Sequence, residues 1–493
     1  MEKEIKLGPP SQIKQLNDYT WELPITYKKG MLVPARIYAS KELMDSMDAG
    51  VFEQITNVAS LPGIQKHALC MPDGHWGYGF PIGGVAAFDP KEGGIISPGG
   101  IGFDINCGMR LMTTNLTIDE VRPKIKELVD ALYSKVPAGV GCKGFVKVTK
   151  EQFKDVMVKG AKWCLENDYA WAEDLEHIED HGCILGADPA AVSDRAIKRG
   201  FDQLGTLGSG NHYLEIQEVR EENIFDKEAA KALGITKPGQ IVIMVHCGSR
   251  GFGHQIGSDY LREFLEAMPK YGIEIVDREL ACAPFNSPEG QNYYKAMACA
   301  ANMAFVNRQV ITHRIREVFS RVFEKSAKEL EINLVYDVAH NIAKLEKHLV
   351  NGVEKELLVH RKGATRAFGP HRAKDLPKEF ADFGQPVIIG GSMETGSWLL
   401  VGTDKTDEET FSSTAHGAGR IMSRFAAIKK FDGENLVKDM QEKGIYVHPV
   451  TMKGLAEEAG GAYKDVDEVI ETLVSAGIAK KVVSLKPIGN VKG

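Results

Sequence analysis

The chain has 493 residues, of which 43% are hydrophobic, 8% aromatic and 26% charged, and this composition excludes both an intrinsically disordered chain and a collagen-like one. Its 60 basic and 67 acidic residues give a net charge of −7, which argues against a protein that coats nucleic acid non-specifically but leaves room for a local basic groove. Glycine is the unusual count, at 51 residues, many of them in tight clusters.

No Pro/Ser-rich linker, low-complexity run or fixed-period repeat divides the chain. A prior of ~150 residues per domain suggests about three domains, whereas the lack of linkers favours one composite domain over residues 1–493. The N-terminal sequence MEKEIKLGPP lacks the apolar core of a signal peptide, and no apolar run approaches the ~18 residues of a membrane span. Eight cysteines without a CxxC pair indicate free thiols. We therefore expect a cytoplasmic protein that does not enter a membrane.

Apolar spacing and charged faces predict two helices, and short apolar runs predict three buried strands. In chain order these are a helix over 151–181, a strand at 241–245, a helix from 293 to about 329, and strands at 333–338 and 386–389. Helix and strand signals do not alternate strictly, which favours an α+β fold over a doubly wound sheet.

The segment MPDGHWGYGFPIGGVAAF, residues 71–88, is dense in glycine around Asp73, His75 and Trp76. Two interpretations remain open for it. It forms a tightly turned hairpin, or it lines a functional site; residue types alone do not distinguish the two.

One pattern recurs along the chain: an apolar or Gly-rich run ends in His, Cys or Asp, flanked by Gly, Asn or Ser. It occurs in GGIGFDINCGMR, LGTLGSGNHYLE, IVIMVHCGSRG, NLVYDVAHN and STAHGAGR. Small neighbours leave room for a ligand beside a rigidly held side chain. For any single histidine, a buried structural role is the commoner explanation. The repetition is harder to explain by packing.

The pooled side chains are donors that transition metals prefer, and mixed S, N and O ligands suit Zn, Mn or Fe. The candidate ligands are Asp104, Cys107, His212, His246 and His340. Five ligands are too many for one tetrahedral ion, whereas a cysteine that bridges two ions would use them all. Paired metals are typical of phosphoryl chemistry.

Two further segments suit anion recognition. HRKGATRAFGPHR, residues 360–372, brings Arg361, Lys362, Arg366 and Arg372 into one predicted loop, where phosphate binding and a merely solvated charged loop are equally consistent with the composition. IIGGSMETGSW offers backbone N–H groups and hydroxyls that suit phosphate or ribose, although it matches neither the P-loop nor the dinucleotide-binding pattern.

His416 precedes a predicted helix in HGAGRIMSRFAAIKKF. An anion bound at that helix N-terminus would lie within reach of the imidazole, which Gly417 leaves accessible for attack on a nucleotide phosphorus. A histidine without any chemical role is the alternative interpretation.

In this order, the segments resemble the RtcB family of RNA-splicing ligases over nearly the whole chain, from MPDGHWGYGFPIGGVAAF and SPGGIGFDINCGMR to the C-terminal KPIGNVKG. The resemblance implies a single large α+β domain with mixed sheets and surrounding helices. It also implies a tRNA-splicing and RNA-repair ligase that uses GTP and two Mn²⁺ ions to join an RNA 3′-phosphate or 2′,3′-cyclic phosphate to a 5′-hydroxyl. An archease protein is implied as a possible activating partner.

Carried over position by position, the resemblance assigns a role to each candidate. Cys107 would bridge the two Mn²⁺ ions, Asp104 and His212 would complete one, and His246 and His340 the other. His416 would be the nucleophile that accepts GMP from GTP. The positions that resemble guanylate contacts are Asn211, His212, Tyr213, Glu215, His340, Asn341, Gly390, Gly391, Ser392, Met393, Ser397, His416, Gly417, Ala418, Gly419, Tyr463 and Lys492.

Two positions depart from the family pattern. Glu394 stands where a small residue is expected, so its carboxylate would either weaken guanylate binding or point away, and Tyr213 replaces a common Phe. From charge alone, Arg361, Lys362 and Arg366 are expected to hold the RNA ends. Two other functions stay open on residue types: a metal-dependent phosphoesterase and a non-catalytic RNA-binding or release factor. Neither explains HGAGR together with the guanylate loop.

Overall fold

The computed structural model describes residues 6–493 and contains nineteen strands and sixteen α-helices in that range. The strands are β1 (Lys14–Asn17), β2 (Thr20–Leu23), β3 (Ala35–Tyr38), β4 (Ala68–His75), β5 (Ile82–Phe88), β6 (Ile95–Ile96), β7 (Gly108–Thr117), β8 (Tyr213–Glu218), β9 (Gln240–Cys247), β10 (Ala283–Pro284), β11 (Leu334–Ala339), β12 (Asn341–Val350), β13 (Val353–Lys362), β14 (Ala364–Arg366), β15 (Pro386–Gly390), β16 (Ser397–Val401), β17 (Ser413–Ala415), β18 (Tyr446–Pro449) and β19 (Lys480–Lys492).

The helices are α1 (Lys41–Ser46), α2 (Ala49–Val58), α3 (Ile118–Val121), α4 (Ile125–Lys135), α5 (Lys150–Lys159), α6 (Ala161–Glu166), α7 (Ala172–Glu176), α8 (Asp194–Gly200), α9 (Lys227–Ala232), α10 (Arg250–Ala267), α11 (Pro288–Phe323), α12 (Lys405–Glu409), α13 (Arg424–Lys430), α14 (Gly433–Glu442), α15 (Met452–Glu457) and α16 (Val466–Ser475). Among the described residues, no helix has the length and apolar character needed to cross a lipid bilayer.

Two large sheets organise these elements. One has seven strands in the order β1-β2-β3-β4-β5-β13-β12. The other has the order β11-β7-β9-β8-β19-β16-β15, and its eighth strand, β18, pairs with β19. Most neighbours are antiparallel, whereas β3 with β4 and β18 with β19 are parallel. Mixed sheets with surrounding helices confirm the predicted α+β class. That residues 1–493 form one domain stays a prediction.

The predicted strands are confirmed: 241–245 lies within β9, 333–338 overlaps β11, and 386–389 lies within β15. The long helix predicted from residue 293 is also confirmed, as α11. It begins earlier, at Pro288, because the Ser287 hydroxyl caps it by accepting from the Gly290 N–H at 3.0 Å. It ends at Phe323, before Glu324 takes the left-handed conformation at φ 55°.

The prediction of one helix over 151–181 is wrong. The segment forms α5, α6 and α7 with breaks between them. Gly160 separates α5 from α6 at φ 54° and ψ −139°, a conformation that no helix contains and that glycine adopts most easily. The Tyr169 N–H then bonds the Cys164 carbonyl at 2.8 Å and turns the chain away before α7. Apolar periodicity continued across these turns because each short helix packs on the same core.

A buried ion-pair network connects α11 to the eight-stranded sheet. Asp337 on β11 bonds Arg110 of β7 at 2.7 Å and Arg308 of α11 at 2.8 Å, and all three side chains are inaccessible to solvent. Arg308 also donates to the Asn106 and Cys247 carbonyls, each at 2.8 Å. One carboxylate thus neutralises two buried guanidinium groups and joins three strand ends through them.

We predict that Asp337→Ala destabilises the protein by about 3–5 kcal/mol, because it leaves two guanidinium groups buried without a counter-charge. Chemical denaturation followed by circular dichroism measures the change. The matched control is Glu151→Ala, which removes the partner of Lys154 in an exposed pair and is expected to change stability little. Equal effects of the two substitutions would contradict this interpretation of the network.

Candidate functional site

Asp104 and Cys107 belong to a tight turn that leads into β7. The Cys107 N–H bonds the Asp104 carbonyl at 2.9 Å, and Asn106 between them adopts φ 53°. The turn is fixed from both sides, since Asn106 N–H donates to the Asn341 carbonyl at 2.7 Å and its amide donates to Ala301 at 2.7 Å. Both candidate ligands therefore project from one immobile corner.

The three candidate histidines reach the same corner because their strands are neighbours. In the order β11-β7-β9-β8, His246 lies near the end of β9, opposite Met109 of β7 and Tyr213 of β8. His212 comes directly before β8, and His340 directly follows β11. The pairing register thus gathers residues separated by more than two hundred positions at one sheet edge.

Two triads form, and they share one thiol. Cys107, His246 and His340 are one possible metal-binding group, and Asp104, Cys107 and His212 are the other. The Cys107 Sγ lies 3.3 Å from His212 Nε2 and 3.2 Å from His246 Nε2. His246 Nε2 lies 3.3 Å from His340 Nε2, and His212 Nε2 lies 2.9 Å from Asp104 Oδ2.

These donors fit transition-metal ions. Around a tetrahedral ion, nitrogen and sulfur ligands lie roughly 3.3–3.6 Å apart, which is close to the separations between Cys107 and the imidazoles. Burial, with neighbouring histidines adding to it, holds the pKa of both His246 and His340 well below the usual value, so both are neutral, the form that binds metals. Burial raises the pKa of the Cys107 thiol, which a bound cation would offset.

His416 stands beside this cluster. It follows β17, and its ring centroid is 4.8 Å from that of His340. Its Nδ1 contacts Asp73 Oδ2 at 2.6 Å, and Asp73 is completely buried. Burial alone would raise the pKa of the Asp73 carboxyl, but the contact with His416 holds that pKa below its usual value. The ionised carboxylate therefore faces Nδ1 of the ring, and the other ring nitrogen, Nε2, is not the one that contacts it.

Two residues distant in sequence, Lys464 and Gly419, hold the segment around Asp73 in place. Lys464, which is buried, donates to the Pro72 carbonyl at 3.0 Å and the Gly74 carbonyl at 2.6 Å, on either side of Asp73. Gly419 packs so close that a Cβ would lie 2.2 Å from the Asp73 carbonyl oxygen. Only glycine fits there, which explains one glycine of HGAGR.

A cavity of about 220 Å³ is lined by Asp104, Cys107, His246 and His340 of the two candidate triads and by His416. Most of the predicted site residues line it: Asp104, Cys107, Asn211, Tyr213, His246, His340, Asn341, Gly390, Gly391, Ser392, Met393, His416, Gly417, Ala418, Gly419, Tyr463 and Lys492. The predicted residues His212, Glu215 and Ser397 are not among the lining residues. All three are buried directly behind it.

Glu215 lies in a buried polar network behind the cavity wall. Its two oxygens accept from Gln217 at 2.5 Å and Asn490 at 2.6 Å, and Gln217 also donates to Ser397 at 3.1 Å. Burial raises the pKa of Glu215 to about 7. Asn490 lies two residues before Lys492, whose ammonium is also buried at the cavity. This C-terminal segment is therefore part of the wall and not a free tail.

The expectation of a solvent-accessible basic loop at 360–372 is wrong for three of its four cations. Arg361, Lys362 and Arg366 lie on β13 and β14 and are buried. Arg361 forms two bonds with Glu346, at 2.7 and 2.8 Å, and Arg366 pairs with Asp180 at 2.9 Å. Because their charges are neutralised inside the fold, these groups do not form an RNA-binding surface.

Lys362 is also engaged inside the fold, but its partners are backbone carbonyl oxygens and not carboxylates. Its ammonium donates to the carbonyls of Tyr78, Phe80 and Gly99. Burial lowers its pKa to about 7. The side chain thus connects the two Gly-rich segments at 71–88 and 97–110 to β13, which is a structural role.

Glu394 points away from the cavity. Its Oε2 lies 2.7 Å from the Lys443 ammonium, and its Oε1 accepts from the Gly460 N–H at 3.1 Å. Tyr213 lines the cavity, and its hydroxyl contacts the Met244 sulfur at 3.4 Å. The sequence left two outcomes open for the Glu394 carboxylate, and the structure favours the one in which it points away from the predicted guanylate site.

Sequence reasoning named Asp73 without assigning it, and it missed Arg250, Arg308 and Arg420. Arg250 Nη1 contacts Nδ1 of His212 at 2.9 Å, and Arg420 donates to the Tyr463 hydroxyl at 3.1 Å. The available signal was their position, since Arg250 and Arg420 each follow a Gly-rich motif within four residues of a candidate histidine. Arg308 gave no such signal, because it lies in the middle of α11.

Comparison with known proteins agrees with the resemblance seen in the motifs. The family model described as tRNA-splicing ligase RtcB matches residues 54–493. A protein named tRNA-splicing ligase RtcB from Methanococcus maripaludis is 54% identical over 98% of this chain and the whole of its own length. One of the same name from Thermococcus kodakarensis is 53% identical over 98% of this chain and 99% of its own. The chain belongs to the RtcB family.

Proposed function

We propose that the protein is an RNA ligase that joins a 3′-phosphate or 2′,3′-cyclic phosphate end to a 5′-hydroxyl end, using GTP and two Mn²⁺ ions. One observation carries the proposal: His416, with Nδ1 bonded to the buried Asp73, stands next to a two-triad metal-binding cluster in one cavity. The names of the relatives, tRNA-splicing ligases, support the RNA substrate and the ligation reaction.

Two Mn²⁺ ions would be held by the two triads, with Cys107 common to both. When bound, such ions neutralise phosphate charge and orient the triphosphate. The cavity wall supplies the rest of the nucleotide site. The loop from Gly390 to Met393 offers backbone N–H groups, and Lys492 offers a positive charge.

The first step is transfer of GMP to His416. The Nε2 lone pair attacks the α-phosphorus of GTP, the P–N bond forms, and the bond to the β-phosphate oxygen breaks to release pyrophosphate. Asp73 keeps the proton on Nδ1 and stabilises the positive charge that develops on the ring. Because Asp73 is fixed by Lys464 and Gly419, little reorganisation is needed when that charge appears.

Two displacements complete the reaction. An oxygen of the RNA 3′-phosphate attacks the guanylyl phosphorus, the P–N bond breaks, and His416 is regenerated. The RNA 5′-hydroxyl then attacks the activated 3′-phosphate, a phosphodiester forms, and GMP leaves. A 2′,3′-cyclic end is first hydrolysed to the 3′-phosphate. The chemistry suits tRNA halves in splicing and broken RNA in repair, with an archease as a candidate activator.

The two alternatives account for less of the site. A phosphoesterase would use the cluster but leaves the buried contact between Asp73 and His416 without a purpose. A non-catalytic RNA-binding factor leaves the cluster itself unexplained, because burying Cys107 among neutral imidazoles contributes nothing to RNA affinity.

We predict that His416→Ala abolishes covalent labelling of the protein by α-labelled GTP in Mn²⁺, because the proposed mechanism assigns the attack on the α-phosphorus to the His416 imidazole. The label is measured after denaturation, so that bound but unreacted nucleotide is removed. The matched control is His313→Ala, on α11 and outside the cavity, which is expected to label like the wild type. An unlabelled wild type would contradict the ligase mechanism, and a labelled His416→Ala would contradict the assigned nucleophile.

We predict that Cys107→Ser lowers bound Mn²⁺ from two ions per chain to one or none, because both triads lose their shared thiolate. Metal analysis of gel-filtered protein measures the ratio. Cys142→Ser is the control, since Cys142 is a partly exposed cysteine outside both triads. This variant should retain both ions. Unchanged metal content in Cys107→Ser would show that the bridge is wrongly assigned.

A further inference from the structure

A second cavity, of about 740 Å³, adjoins the catalytic one. Both are lined by His75, Arg420 and Arg424, so these residues form a wall that the two cavities share. The proposed reaction requires an RNA end at His416, yet the basic segment expected to hold it, around Arg361, is buried. A site for the RNA strand is therefore still to be assigned.

Trp76 is the prominent side chain of this second cavity. It is 55% exposed, which is unusual for the largest apolar residue on a rigid segment. One edge of its indole packs on the backbone of α2 at Gly50, where a Cβ would lie 1.8 Å from the ring. Gln54 of α2 fixes the next residue, donating to the Gly77 carbonyl at 2.7 Å and accepting from its N–H at 3.0 Å.

These contacts hold the Trp76 indole against α2 and leave part of its flat aromatic surface exposed to solvent. Gly50, the second residue of α2, has no side chain and so leaves room for the indole. Trp76 is also only three residues from Asp73, which orients His416. A group stacked on Trp76 is thereby held in register with the nucleophile by the same short segment.

The surroundings of Trp76 combine apolar area with positive charge. Leu7 and Ile421 are 56% and 47% exposed and line the same cavity. The charged residues that line it are four cations and two carboxylates: Lys6, Arg420, Arg424, Lys464, Asp48 and Glu53. Arg424 contacts Glu457 at 2.9 Å but keeps 53% of its side chain exposed. Glu458, which is buried, pairs with Arg420 at 3.3 Å and lies 3.5 Å from Arg424, so the exposed part of the Arg424 side chain is the positive group that a ligand beside Trp76 meets.

We propose that this cavity binds an unpaired nucleotide next to the reactive RNA end, with its base stacked on Trp76 and its phosphate near Arg424. The inference rests on the proposed ligase function and adds the substrate subsite to it. A nucleotide fits because stacking accepts any base, as a ligase that joins ends of varied sequence needs. A protein partner would satisfy the apolar area but leaves the wall shared with the catalytic cavity unexplained.

The test measures binding of single-stranded RNA to the full-length protein by fluorescence anisotropy. Trp76→Ala is expected to weaken binding at least about fivefold, because stacking on an aromatic residue contributes about 1–3 kcal/mol per base. Trp76→Phe should recover most of the affinity. Phe225→Ala, at an exposed aromatic outside both cavities, is the matched control and should bind like the wild type. Thermal unfolding of each variant verifies that it is folded.

Two RNA probes identify the stacked nucleotide. One ends in a 3′-phosphate and the other in a 5′-hydroxyl, and each is also made with an abasic sugar at its terminal position. The abasic change should weaken binding to the wild type and have little further effect on Trp76→Ala, and the probe that shows this coupling identifies the end. Equal affinity of Trp76→Ala and wild type for both probes overturns the proposal and leaves a protein as the occupant.

Failure of this proposal is distinguishable from failure of the proposed function. Labelling of the wild type with GTP in the absence of RNA reports the guanylylation chemistry alone. A labelled wild type with an RNA affinity that does not depend on Trp76 overturns only the stacking subsite. An unlabelled wild type overturns the ligase mechanism, on which the subsite depends.

Discussion

The site depends on one buried anion. Asp337 neutralises Arg308, and Arg308 in turn holds the carbonyls of Asn106 and Cys247. Those carbonyls adjoin Cys107 and His246, while His340 follows Asp337 by three residues on the same chain segment. A single guanidinium therefore sets the spacing of three ligand-bearing strand ends. Ligand atoms need placement within a few tenths of an ångström to bind a metal, and a charged, multiply bonded side chain supplies that rigidity better than apolar packing.

The buried lysines extend the same principle to the segment that contacts His416. Lys464 and Lys362 each donate hydrogen bonds to backbone carbonyls of the segment that carries Asp73. Burial lowers the pKa of Lys464 to about 8. Removing an ammonium from water is costly. The two buried ammonium groups contact the segment 71–88, which is dense in glycine and whose backbone therefore has more conformational freedom than other sequences. The glycines let the backbone approach the site closely, and the lysines restore the rigidity that glycine removes.

Much of the candidate site was predictable from the sequence, because each candidate metal ligand lies in a local pattern of small neighbours after an apolar run. The three strands and α11 also followed from apolar spacing. What failed depended on contacts between distant segments. Nothing near Arg361 shows that Glu346 neutralises it, and nothing near Asp73 shows that His416 lies against it. The helix break at Gly160 was missed because apolar periodicity reports which face is buried and not whether the backbone continues.

The position of β19 has a consequence for how the molecule is made. It comes after every other described strand in the sequence, yet it lies inside the eight-stranded sheet, between β8 and β16, and carries Asn490 and Lys492 into the wall of the cavity. Synthesis proceeds from the N-terminus, so β8 and β16 lack the strand that lies between them until β19 itself has been made. Contacts so distant along the chain form slowly. All five candidate metal ligands have therefore been made once His340 has been added, well before β19, which begins at Lys480, completes the wall of the cavity.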